Sequence, residues 1–449
     1  MTFQALEAIR SSKFVVGYRP YLDLIPELLK GKEVLAGSMG KEVERARAAV
    51  DLAMEGRVAL ISSGDPNIYG MAGPGLEISS EVDVEVVPGV TSFTAAACRA
   101  GISFRESVAV ISLSDLLTPW QRIEERLRLA AELGMPSAIY NPRSKKRNWQ
   151  LQRALEIYTS ARDRDVDVLV AKNVARIGQE LFWTTARDLL DGLLEKIDMF
   201  TMLILSGKGM ERGEVTENSL INIVGIGPGD RSQLTLEAAD IHKTSAGIFG
   251  AERYLSEIKG VTGGDLAAHS GSYAERIAAR FRESRLLSDR GLCSSILTGG
   301  DPSIFSSAWR IFNEARGICG LKISPGVSAF SAVAARAGAP LVNDFVLLSG
   351  PDHAERIGSI SRAGFGAVVY NIEGTGLMAV LEELEPDRPC ALARDVARNQ
   401  EFMTVMMASD LMGARPSGFR FTLLIATQDS YIKDGRIIAR RGYGNRHDY

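Results

Sequence analysis

The chain has 449 residues, 45% of them hydrophobic and 24% charged, with a formal net charge of −3. This is the balance of an ordinary globular protein of about two to four domains, and without a basic surplus nucleic acid is not expected as a partner. Four scattered cysteines (Cys98, Cys293, Cys319, Cys390) include no CxxC pair, which argues against a disulfide framework or structural zinc and suits a reducing cytoplasm. The sequence carries no charged-then-apolar leader and no apolar run of membrane-spanning length, so a cytoplasmic protein is expected. Its four histidines (His242, His269, His353, His447) lack metal-ligand spacing and read as surface or core residues; no metal is expected.

In chain order, β-branched runs alternate with amphipathic stretches, which predicts an α/β fold. Ser63-Gly64-Asp65-Pro66 reads as turn chemistry, and its glycine would let backbone groups approach a ligand. Val84–Val87 reads as the end of a buried strand, broken by Pro88-Gly89, after which Thr91 or Ser92 can cap a helix over Phe93–Cys98. Strand, glycine turn and helix N-terminus together aim backbone N–H groups at a ligand. Val108–Ser112 is a second short strand. It leads through the polar loop Ser112–Asp115 to Thr118-Pro119-Trp120, which starts a helix. Ala138–Tyr140 is a third strand, emptying into Asn141-Pro142-Arg143-Ser144-Lys145-Lys146-Arg147. The plain reading of that cationic run is a solvated helix start. Its place at a strand end, where open α/β sheets bind ligands, favours a receptor for a polycarboxylate instead, with Arg forking onto carboxylates and Lys acting as a point charge.

The chain also repeats itself. Residues 1–25 match 234–258, SGDP (63–66) matches GGDP (299–302), and PGVTSFTAAACRAG (88–101) matches PGVSAFSAVAARAG (325–338). Tyr140-Asn141 matches Tyr370-Asn371, and Asn173–Arg176 matches Asp395–Arg398. So many ordered matches at a nearly constant offset mean two homologous modules that differ by loop insertions. We place them at 1–206 and 220–449, joined by a polar linker, 207–219.

SSGDPNIYGMAG (62–73), VVPGVTSFTAAA (86–97), ISLSDLLTPW (111–120) and YNPRSKKR (140–147), in that order and spacing, resemble the tetrapyrrole methylase family, in its precorrin-3B and cobalt-factor III C17-methyltransferase branch. The resemblance covers nearly the whole chain, in detail over the first module and more loosely over the second. It implies modules of two α/β lobes with a cofactor cleft between them, and S-adenosylmethionine as cofactor. It implies a tetrapyrrole substrate, C17-methylation with ring contraction in cobalamin biosynthesis, and a covalent pseudo-dimer that can dimerise further. Carried over, the cofactor contacts in module one are Ser63, Gly64, Asp65, Ile68, Thr91, Ser92 and Asn141. In module two they are Pro228, Gly299, Gly300, Asp301, Ile304, Ser328, Ala329 and Asn371. Asp115 is the candidate acid or base for ring contraction; its plain alternative is a helix cap or turn residue. Ser114, Arg143, Lys145, Lys146 and Arg147 would receive the substrate.

The modules are unequal. Module two opens with LINIVGIGPGD (220–230), a strand feeding a Gly-Pro-Gly turn that the family places at the floor of the cleft. Met1 stands opposite Leu234, so module one lacks that strand and turn. Losing an inner parallel strand would leave both neighbours unpaired. Either the strand lies upstream of Met1, or the lobe is degenerate and its partner module fills the gap. Module two in turn has YNIEGTGL (370–377) in place of YNPRSKKR and no counterpart of SLSDLLTPW, so it reads as a diverged copy, its tail YIKDGRIIARRGY (431–443) resembling the same branch. Two other readings stay open: a bifunctional corrin methylase whose second module acts at another position, and a non-catalytic tetrapyrrole-binding protein.

Overall fold

The computed structural model describes residues 1–440 except 80–81, 145–146, 163–164, 351–353 and 419. Each module begins with a parallel sheet. In module one it has three strands, β1 (Phe14–Tyr18), β2 (Glu33–Gly37) and β3 (Val58–Ile61), in the order β2-β1-β3. There follow β4 (Ile102–Phe104), β5 (Ser107–Ser112), β6 (Ser137–Tyr140), β7 (Asp167–Lys172), β8 (Glu180–Thr185), β9 (Thr201–Leu205) and β10 (Met210–Arg212). Module two opens with β11 (Ile221–Gly225), β12 (Gly247–Gly250), β13 (Asp265–Ala268), β14 (Ser294–Thr298) and β15 (Lys322–Ser324). These make a five-stranded sheet, β13-β12-β14-β11-β15.

The two second lobes merge. β16 (Phe345–Ser349), β17 (Gly366–Ile372), β18 (Pro389–Arg394), β19 (Phe402–Met407) and β20 (Phe421–Ile425) join module one's strands in one ten-stranded sheet, β19-β18-β20-β17-β16-β5-β6-β9-β7-β8. Its order is the same read from either end, and its seam is the antiparallel β5–β16 pair, with Phe345 opposite Val110 and Leu348 opposite Ser107. The paired seam residues, Ser107–Val110 and Phe345–Leu348, are buried and helices cover both faces, so the strand centres read as apolar runs. One face packs on the helices Trp120–Glu132, Gln150–Ser160, Ala354–Arg362 and Gly374–Glu382. The other packs on Ser92–Arg99 and Ala329–Ala337, where Phe93 and Phe330 stack at 6.3 Å across the modules. The segment between the modules is not slack: β10 pairs antiparallel with β4, and Gly213 N donates to Gly101 O. No described helix is long and apolar enough to cross a membrane.

One expected strand does not form. Val84–Val87 is in no sheet, although its repeat partner β15 is a sheet strand. The cause is local. β15 pairs only with β11, and among the described residues nothing takes the place of β11 in module one. The partner module does not fill the gap either, so β3 is only half-buried while its counterpart β14 is wholly buried.

Candidate active site

The Gly-Asp-Pro turns sit at the C-terminal ends of β3 and β14, where a parallel sheet presents its loops. Both are built alike. Gly64 and Gly300 adopt φ of 73° and 68°, which glycine enters without a side-chain clash. A Cβ at Gly89 would lie 2.2 Å from Gly64 O, and one at Gly326 would lie 2.2 Å from Gly300 O. Each Pro-Gly-Val turn can therefore press against its Gly-Asp-Pro turn only because its glycine has no side chain.

The two aspartates are buried beneath these turns. Asp301 Oδ1 accepts from Ser303 N at 2.8 Å and from Ser303 Oγ, and its Oδ2 accepts from Gly326 N at 3.1 Å. Asp65 Oδ1 accepts from Asn67 N at 2.8 Å and Asn67 Nδ2 at 2.6 Å, while its Oδ2 is buried without a partner. Burial pushes both carboxyls up to about 6. Each turn is also tied to the other module: Asn67 Nδ2 donates to Ser331 O, and the Cys98 thiol lies 3.6 Å from Asp301 Oδ1.

Around module one's turn lies a cavity of about 1550 Å³, lined among others by Ser63, Gly64, Ile68, Thr91, Ser92 and Asn141. Thr91 precedes the helix Ser92–Arg99, but its hydroxyl bonds Tyr140 Oη at 2.7 Å instead of capping, and Tyr140 Oη also accepts from Phe93 N. Module two repeats the device: Tyr370 Oη accepts from Phe330 N at 2.8 Å, beside Ser328 and Ala329 at the next helix start. Asn141 and Asn371, one residue past each tyrosine, share a left-handed φ of 49° and 52°. In module two the floor loop is present. Gly227 and Gly300 exchange backbone hydrogen bonds of 3.2 and 2.8 Å, Pro228 is buried, and Ile304 packs in the intermodule core. Gly299 faces the Tyr254 hydroxyl, where a Cβ would lie 2.6 Å away.

The substrate-side candidates form a second cluster outside that cavity lining. Asp115 Oδ2 accepts from Gln150 Nε2 at 2.9 Å, and Ser114 N donates to Ser112 Oγ, which also accepts from Asn141 Nδ2. Arg147 Nη1 donates to Leu113 O and Asn141 O, so this guanidinium stitches the loop after β5 to the loop after β6. Burial lowers the Arg147 pKa, with the Asp115 charge acting against it. Arg143 Nη1 donates to Leu194 O at 2.6 Å. Lys145 and Lys146 lie outside the described residues. Of the plain alternatives for Asp115 the structure shows the turn but not the cap: Asp115 lies in a turn at 115–117, and the helix Trp120–Glu132 starts after Pro119 with no side-chain cap.

Three groups were not singled out from the sequence. Tyr140 and Tyr370 were noted only as repeated residues. Arg176 and Arg398 likewise stand at matching places: Arg176 bonds Ser63 Oγ, and Arg398 pairs with Glu257 at 2.8 Å while packing its stem on Gly229. Asp344, buried at the module seam, accepts from Arg126 Nη1, Ser112 N and Tyr69 Oη. The first two pairs carried a signal, since the repeat itself pairs them; Asp344 carried none.

The model of the tetrapyrrole (corrin/porphyrin) methylases matches residues 1–190 and 220–411, and the chain belongs to that family, whose members use S-adenosylmethionine as methyl donor. It is thus a methyltransferase of two tandem family modules. Among curated relatives it is similar to a probable cobalt-factor III C(17)-methyltransferase of Salmonella typhimurium strain LT2, 40% identical over 213 residues, which are 46% of this chain and 87% of the relative. A precorrin-3B C(17)-methyltransferase of a Sinorhizobium species is 34% identical over 216 residues, 46% of this chain and 82% of the relative. Of the longer cobalamin biosynthesis protein CbiHC of Archaeoglobus fulgidus, 39% identical over 209 residues, the chain spans 46%. A crystal structure of the methyltransferase CobJ aligns over 50% of this chain and 100% of its own, at 22% identity and a TM-score of 0.44.

Proposed function

We propose that the chain methylates C17 of precorrin-3B or cobalt-factor III and promotes ring contraction in cobalamin biosynthesis, as a covalent pseudo-dimer in which module one receives the tetrapyrrole. The observation that carries this reading is the pair of loops found only in module one, SLSDLLTPW and YNPRSKKR, joined by Arg147 beside Asn141. A tetrapyrrole bears many peripheral carboxylates, and cations at a strand end suit them.

S-adenosylmethionine supplies an electrophilic methyl group on a good sulfonium leaving group. The residues fit such a cofactor: Gly64 turns with a left-handed φ and makes no backbone–backbone hydrogen bond, and Asp65 Oδ2 is buried without a partner. Ser63, Gly64, Asp65, Ile68, Thr91, Ser92 and Asn141 would hold it in module one. Pro228, Gly299, Gly300, Asp301, Ile304, Ser328, Ala329 and Asn371 would hold it in module two. The chain's contribution is then proximity and exclusion of water, and no nucleophilic side chain is needed. Asp115, aligned by Gln150, would take or return a proton during ring contraction, and Ser114, Arg143, Lys145, Lys146 and Arg147 would fix the substrate's carboxylates. The complete first lobe of module two favours a second reading, in which that module is a cofactor site in its own right.

The test is anaerobic incubation with precorrin-3B or cobalt-factor III and methyl-labelled S-adenosylmethionine, followed by mass analysis of the macrocycle. One transferred label, with the spectral change of ring contraction, is expected. Cofactor binding without transfer would refute the enzyme assignment in favour of a binding role.

A further inference from the structure

The repeat sets two buried arginines at matching places. Arg45 lies on the helix Glu42–Ala53 and Arg280 on the helix Tyr273–Ser288, and the buried positions that follow keep step: Ala46 with Phe281, and Ala49 with Ser284. The two arginines are 6% and 5% exposed. Their surroundings differ. Arg45 is satisfied inside module one: it donates to Ser38 O, to Glu42 Oε1 at 3.2 Å and toward Met71 Sδ at 3.8 Å. Arg280 has no such set. Its Nε is buried without an acceptor, and among the described residues none of its nitrogens makes a hydrogen bond or an ion pair.

Module two adds positive charge around this guanidinium instead of neutralising it. Ile277 stands where module one has Glu42, and Arg310 stands where it has Pro74. Arg310, on the helix Ala308–Ala315, lies over the Tyr273 ring at 5.2 Å and the Trp309 ring at 4.4 Å, and its Nε too is buried without an acceptor. Arg276, one turn before Arg280, donates to Gly271 O at 2.6 Å and lies 6.0 Å from the Tyr273 ring. The carboxylates on the same helix are committed elsewhere. Glu275 closes the capping box with Ser272, which also fills the helix N-terminus, and Glu283 pairs with His269 at 2.8 Å. Burial and the like charge of Arg276 lower the Arg280 pKa, with Tyr273 and Tyr254 acting against them.

A buried guanidinium without an acceptor costs free energy unless a ligand supplies one. Its fork matches the paired oxygens of a carboxylate or a phosphate. The rings of Tyr273 and Trp309 hold Arg310 in place without using its donors. Tyr273 is 49% exposed, so the point on which the arginines converge is open to solvent.

We propose that Arg276, Arg280 and Arg310 form an oxyanion site in module two, which takes a small, multiply charged anion: phosphate or a polycarboxylate. The site is distinct from the cationic run after β6, which belongs to module one. It has no counterpart in module one, where Arg45 is satisfied internally, and it does not depend on the function proposed above.

The test is calorimetric titration of the full chain with sodium phosphate, and separately with sodium citrate, at fixed ionic strength in chloride. Saturable binding of one equivalent is expected, and the tighter of the two anions identifies the source. Arg280→Met and Arg310→Met should each weaken it by about tenfold or more, and Arg280→Lys, which keeps the charge but loses the fork, should weaken it as well. Arg45→Met should leave it unchanged. Thermal melts separate ligand binding from support of the fold. In chloride, Arg280→Met should melt no lower than the parent, whereas Arg45→Met should melt lower. The bound anion should raise the Tm of the parent and leave that of Arg280→Met in place. Failure of both anions to bind saturably, or binding that survives Arg280→Met and Arg310→Met, would overturn the proposal. So would a fall in Tm for Arg280→Met in chloride as large as that for Arg45→Met, because the arginine would then be a structural support.

Discussion

Asp344→Asn tests the module seam most directly. Asp344 and Arg126 are about 4% and 8% exposed, from different modules, and their ion pair is 2.8 Å long. Arg126 also donates to Ala363 O and Gly364 O, and the carboxylate also accepts from Ser112 N at 2.9 Å and Tyr69 Oη at 2.7 Å. The amide keeps one acceptor oxygen for these neutral donors but removes the charge facing a buried guanidinium. Cutting one partner of a buried pair costs about 3–5 kcal/mol, because the other charge is left uncompensated. The two carbonyls on Arg126 soften that, so we expect a loss of about 3 kcal/mol. Asp344→Ala, which also orphans Ser112 N and Tyr69 Oη, should lose about 2 kcal/mol more. Arg126→Met combined with Asp344→Asn should cost less than the two single changes added, by about 2 kcal/mol. Urea unfolding followed by fluorescence measures all four proteins. A single-mutant loss under about 1 kcal/mol, or additive behaviour in the cycle, would show that the seam charges are solvated and refute the reasoning.

Three further outcomes follow from the buried groups and turns. Burial holds the Asp65 carboxyl at about 6 against an ordinary 3.8, so the folded chain keeps a proton that the unfolded chain has lost. That contribution is present at low pH and lost as pH rises from about 4 to 6, so Asp65→Asn should gain about 3 kcal/mol relative to the parent between pH 4 and 7 in denaturant titrations. Burial lowers His242 from 6.5 to about 4, and both its ring nitrogens lack partners. Here the unfolded chain binds the extra proton, so stability falls as pH drops below about 6.5, and His242→Leu should abolish roughly 3 kcal/mol of that acid sensitivity in parallel melts. Gly89→Ala and Gly326→Ala should each force apart the paired turns of one module. Calorimetric titration with S-adenosylmethionine should then lose roughly tenfold or more in affinity, about 1.4 kcal/mol, at the module altered; an unchanged isotherm for both would refute the turn assignment.

Much of the architecture could be read from residues alone because the repeat carries it. The strands over Ser107–Ser112 and Ser137–Tyr140 and the helix after Pro119 stand where β-branched runs and a first-turn proline put them. Val84–Val87 has the composition of a strand but not the state, since strand formation depends on a neighbour that local sequence does not encode. The site was legible in part for the same reason. Ser63, Gly64, Thr91 and Asn141 line one cavity, and the matching turns in module two follow from the offset. What stayed hidden are the ties between modules. Asp344 meets Arg126 across 218 positions and Asn67 meets Ser331 across 264, separations at which no periodicity or motif operates.

The ten-stranded sheet also sets what the second module can lose. β16 covers the inner edge of β5, and the seam residues on both strands are wholly buried. Cutting the chain at the linker would uncover an apolar strand edge on each half, the kind of edge that pairs with another copy. The second module therefore serves as a built-in edge shield for β5 whatever its chemistry, provided that Phe345–Ser349 keeps its register against Ser107–Val110.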